Sequence, residues 1–102
     1  MNIEEMRKSA GRASILMKAL SNETRLMLLC QLNDGEKSVG QLADMLQLRP
    51  STISQQLALL RKDELVETRR EGQTIYYSLT GDEARNVIST LYNLYCKDNG
   101  DT

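Results

Sequence analysis

The 102-residue chain is 40% apolar and 26% charged, the balance of a single globular domain, too apolar for a disordered chain and short enough to leave much of its surface exposed when folded alone. No apolar run approaches the roughly 18 residues of a membrane span, and the opening MNIEEMRKS lacks the basic-then-apolar order of a secretory signal. A cytoplasmic protein with no membrane partner is expected. The net charge of −1 does not advertise a nucleic-acid partner, so any DNA surface has to be a local patch.

Ile3, Met6, Ala10, Ala13, Met17 and Leu20 recur at three- and four-residue steps, which predicts an amphipathic helix over about 4–19. Ser21-Asn22-Glu23 interrupts it. The run from Glu23 to Leu32 is apolar around most of its circumference and ends at Asn33-Asp34-Gly35, a core helix with a stop signal. Ser38 is placed to cap a short helix over Val39–Leu46, and Pro50, whose missing amide proton has no partner in a first turn, opens the next, over Pro50–Lys62. Its inward stripe is Ile53, Leu57 and Leu60. Its other side, Ser51, Thr52, Ser54, Gln55 and Gln56, is short, polar and uncharged.

After Leu65 the period changes to two. LVETRREGQTIYYSL reads as a hairpin turning around Arg70-Glu71-Gly72-Gln73, with Ile75, Tyr77 and Leu79 on one face. Thr80 or Asp82 is placed to cap a last helix running to about Lys97, and the tail 98–102 is expected to be disordered. On that helix Val87, Ile88, Leu91, Tyr92, Leu94, Tyr95 and Cys96 spread over an arc of roughly 200°, wider than one small core can cover. The excess predicts a homodimer whose contact joins Met6, Ala13 and Met17 of the first helix to Val87, Leu91, Leu94 and Tyr95 of the last.

Two helices joined by a short turn and followed by a hairpin make a winged helix-turn-helix: one domain over 1–102, mainly α with a small β-hairpin. The second helix fits a DNA major groove. Gln55 and Gln56 suit adenine, Thr52 offers a methyl to thymine or a hydroxyl to phosphate, and Ser51 and Ser54 supply further small donors. Arg49, Arg61 and Lys62 around the helix, with Arg69, Arg70 and Gln73 in the hairpin, complete the candidate DNA surface. Each piece alone suits an ordinary solvated surface or helix cap; their order, with core positions filled between them, points to DNA.

LSNETRLMLL and SVGQLADMLQLRPSTISQQLALLRKDELVETRREGQTIYYSL resemble the ArsR-type winged-helix regulators over nearly the whole chain. The resemblance implies a homodimer, built on its terminal helices, that binds imperfect inverted repeats in double-stranded DNA and leaves them when an inducer acts. Metal-sensing relatives carry thiolates in a CVCDL-like stretch where this chain has SVGQL, or histidines on the last helix, and this chain has no histidine. No metal or cofactor is expected. An enzyme is not expected either, because no nucleophile has a base or metal beside it.

Cys30 and Cys96, with 65 residues between them, are positioned like the cysteine pair of the family's persulfide- and redox-responsive branch, the HlyU-, BigR- and SqrR-like regulators. That likeness implies a reversible disulfide or polysulfide bridge within one subunit, formed with persulfide, polysulfide or an oxidant as inducer. Free cysteines also serve as small buried apolar residues, which suits Cys30 beside Leu26 and Leu29. Cys96, at the edge of the apolar arc near Ser89, is expected to be reachable; Lys97 favours its thiolate and the helix C-terminus opposes it. Two readings stay open beside the sensor: a regulator whose cysteines only pack, and a dimeric interaction module without DNA binding.

Overall fold

The computed structural model describes residues 2–96; Lys97 and the tail expected at 98–102 lie outside them. The described residues form α1 (Ile3–Leu20), α2 (Glu23–Asn33), β1 (Lys37–Ser38), α3 (Val39–Leu46), α4 (Pro50–Lys62), β2 (Val66–Glu71), β3 (Thr74–Leu79) and α5 (Glu83–Tyr95). None of these helices is long and apolar enough to cross a membrane.

The local signals act where they stand. Asn2 and Asn22 accept from backbone amides three residues on and start α1 and α2. Ser38 caps α3 and receives a reciprocal bond from the Gln41 side chain, a complete capping box. The turn between α3 and α4 passes through Gln47 in the left-handed region, φ 57°, which closes the end of α3. Pro50 then opens α4 after the extended Arg49.

Three expectations need correction. Asp82 already has helical backbone angles, φ −99° and ψ −18°, so its carboxylate does not turn back onto the first amides of α5, and Thr80 Oγ1 is buried without a partner. Neither side chain caps the helix. The hairpin turns later than its polar run suggests: Arg70 and Glu71 stay in β2, and Gly72-Gln73 alone form the loop, Gly72 supplying φ 62°. The hairpin is also not alone. Lys37 and Ser38 pair with Tyr77 and Tyr76, giving an antiparallel sheet of order β1-β3-β2. Along β3, Leu79 is buried and Tyr77 half-buried, while Ile75, nearest the turn, is exposed.

The core gathers Leu28, Leu29 and Leu32 of α2, Leu42 of α3, Ile53, Leu57 and Leu60 of α4, Val66, Leu79 and Ile88. From α1 only Leu16 and Ala19 are buried. Leu20 packs half-buried against the core and Arg12 bonds Glu83 of α5 at 3.3 Å, while the other described residues of that 18-residue helix are exposed. The Cα radius of gyration is 14.8 Å, against about 13 Å for a compact 100-residue chain.

Candidate nucleic-acid interface and cysteine pair

Ile53, Leu57 and Leu60 are fully buried, which anchors α4 and turns its opposite side outward. Ser51, Ser54 and Gln55 stand exposed on it, Arg49 at the N-cap is exposed, and Arg61 and Lys62 are exposed in the last turn. Thr52 and Gln56 are half-buried on one flank, and Gln56 Oε1 accepts from Arg25 Nη1 at 3.3 Å. Arg25 did not emerge from the sequence as a DNA residue. The signal available was a cation in the first turn of α2, where the helix dipole favours acids.

The two wing arginines separate. Arg69 Nε donates to both Glu36 oxygens at 3.2 and 3.1 Å, its terminal nitrogens reach Glu71 Oε2 at 3.3 Å, and its guanidinium lies 4.9 Å from the Tyr76 ring centroid. The bond from Arg69 holds the Glu36 carboxyl below its usual range. Arg69 is thus engaged within the fold, tying the wing to the loop after α2. Arg70 donates only to the Gly72 carbonyl, at 3.0 Å, and pairs with no carboxylate among the described residues. It and Gln73 are exposed at the wing end.

Most of the residues expected to form the dimer contact are exposed. Met17 is 62% and Leu94 68% exposed, with Met6 and Tyr95 exposed as well; Ala13 is exposed, and Val87 and Leu91 are half-buried. Ile3 and Tyr92 belong to the same set of exposed apolar residues and were not picked out as contacts from the sequence.

Cys30 is half-buried against the core, and Cys96, at the C-cap of α5, is exposed; both are free thiols. Asn33 Nδ2 donates to Ser89 Oγ at 3.3 Å and Arg85 Nη1 to the Asn33 carbonyl at 3.3 Å, so the C-terminal half of α2 lies along α5. Cys30 and Cys96 stand on this pair of packed helices. Burial raises the Cys30 pKa, and the charge of Cys96, then that of Asp34, raises it further. Among the described residues no three His, Cys, Asp or Glu side chains group as a metal site.

Comparison with known proteins places this geometry. The model of the bacterial regulatory protein arsR family matches residues 22–68. The transcriptional activator HlyU of Vibrio cholerae is 48% identical over 99 residues, 97% of this chain and 92% of that protein. The structure of reduced HlyU from the same organism superposes with a TM-score of 0.87 at 47% identity, covering 93% of this chain and all of that one. The repressor BigR of Xylella fastidiosa gives 0.83 at 43% identity over 94% of this chain and 98% of that one. A homodimeric winged helix-turn-helix DNA-binding domain from Mycobacterium bovis gives 0.80 at 26% identity, over 99% of this chain and 94% of that one.

Proposed function

The chain belongs to the ArsR family of bacterial regulatory proteins and is a DNA-binding transcriptional regulator, and from that premise we propose that it is a cytoplasmic homodimer released from an imperfect inverted repeat when Cys30 and Cys96 become bridged. What supports the switch is the placement of the two free thiols on packed helices, Cys30 half-buried on α2 and Cys96 exposed at the C-cap of α5, with Asn33 bonded to Ser89 and Arg85 between them. Exposed Cys96 is the first attacker. Its thiolate takes the outer sulfur of a persulfide RSSH, giving Cys96–S–SH and RS⁻. Cys30, held as a protonated thiol by burial, resolves it on losing its proton, forming Cys30–S–S–Cys96 and expelling HS⁻. With a peroxide the intermediate is a sulfenic acid and the leaving group water.

The disulfide, or a polysulfide bridge that keeps added sulfur, ties α2 to the helix that also builds the dimer contact. Two recognition helices must reach successive major grooves about 34 Å apart, so a change in their spacing lowers affinity. Ser51, Ser54 and Gln55 serve as the base-facing group, and Arg49, Arg61, Lys62 and Arg70 as phosphate contacts. The similar proteins include an activator and a repressor, so the proposal concerns DNA release and not the sign of regulation.

Gel shift on the chain's own upstream region, reduced against persulfide-treated, tests it. Treated wild type should release DNA, with a mass change for an intramolecular bridge, while Cys30→Ser and Cys96→Ser should stay bound. Release by both serine variants favours the second reading, supported by the packing of Cys30 against the core, in which the thiols only fill space.

A further inference from the structure

Arg25 has surroundings that call for a ligand. Its backbone N–H donates to the Asn22 side chain at 3.0 Å, and its side chain runs, half-buried, from α2 to α4. There Gln56 Oε1 is the only acceptor it meets among the described residues, and no carboxylate reaches ion-pair distance. Arg12 and Arg69 differ, each having an acid partner. A guanidinium offers five N–H donors and loses hydration on partial burial, and one neutral amide satisfies little of that demand.

Thr52 and Gln56 lie one turn apart on the flank of α4 that Arg25 reaches, both half-buried. Because Gln56 Oε1 is committed to Arg25, what Gln56 has left to offer is its Nε2–H donors. The edge therefore combines a cation, a hydroxyl and an amide N–H, a donor set suited to an oxyanion. Beside a helix lying in a major groove, the oxyanions are the phosphates of the groove wall.

We infer that Arg25, with Thr52 and Gln56, clamps one DNA backbone phosphate in each half-site, Arg25 supplying the charge. The inference rests on the chain's DNA-binding role and is independent of the cysteine switch. It moves Thr52 and Gln56 from base reading to positioning.

The test uses the reduced full chain and Arg25→Gln, which keeps an amide for Gln56, after thermal unfolding has verified its fold. Affinities for the upstream-region duplex and for random DNA are measured between about 50 and about 200 mM salt. Arg25→Gln should weaken both by the same factor. Its slope of log K against log salt should be shallower by about 1.8 per dimer, two contacts at about 0.9 each, so its deficit shrinks roughly tenfold across that range. Replacing backbone phosphates singly by neutral methylphosphonate should reveal one position per half-site that costs wild type affinity and costs the variant nothing. A wild-type slope, loss confined to the upstream duplex, or equal methylphosphonate sensitivity at every position overturns the clamp. Should Arg25→Gln not fold, Thr52→Ala decides: equal loss on both DNAs supports the clamp, and loss on the upstream duplex alone refutes it.

Discussion

Leu94→Ala is expected to weaken self-association while leaving each subunit folded. The side chain is 68% exposed in the last turn of α5, so truncation takes nothing from the core. Full burial of a leucine side chain stabilises by about 1.5–3 kcal/mol. The single subunit leaves two-thirds of that surface uncovered, and covering it at an interface contributes about 1–2 kcal/mol. A twofold dimer carries the substitution on both sides, for a loss of about 2–4 kcal/mol, which is between about 30-fold and about 700-fold in the dimer dissociation constant. Sedimentation velocity on a dilution series of reduced protein reads that constant directly. Leu59→Ala, 45% exposed but on the recognition helix, is the control and should dimerise like wild type. A Leu94→Ala protein with the wild-type constant, or a Leu59→Ala protein that falls apart instead, would show that the dimer uses another face.

Gln55→Ala should erode discrimination between the upstream duplex and random DNA, whereas Arg70→Ala should weaken both and flatten the salt dependence; equal loss on both DNAs from Gln55→Ala contradicts its base-facing role. The raised Cys30 pKa has a consequence for stability. The folded protein holds this thiol's proton more tightly than the unfolded chain, so the contribution is complete below the unfolded value and is lost as pH rises toward the folded one. Urea midpoints of reduced wild type should therefore fall relative to Cys30→Ser from about pH 8.5 upward; a gap between the two that stays constant with pH argues against a shielded thiol.

What the sequence determined by itself is what is decided within a few residues. Asn22 and Ser38 cap helices by bonds to amides three positions on, Pro50 begins α4 through its own ring, and the spacing of Ile53, Leu57 and Leu60 selects the buried side, which leaves Ser51, Ser54 and Gln55 outward. Tertiary structure decided the matters that turn on residues far apart in the chain. Arg69 and Arg70 are indistinguishable as a dipeptide, and only the arrival of Glu36, 33 residues away, with the Tyr76 ring, occupies one and leaves the other without a carboxylate among the described residues. The bond from Arg25 to Gln56 spans 31 residues and engages a glutamine that periodicity placed on a polar face. β1 is two residues long, too short for any period to mark, and exists because β3 presents an open edge to Lys37 and Ser38. The separation of Cys96 from Cys30 depends in the same way on how α5 lies against α2, since spacing along a chain fixes a direction on one helix but not the distance between two.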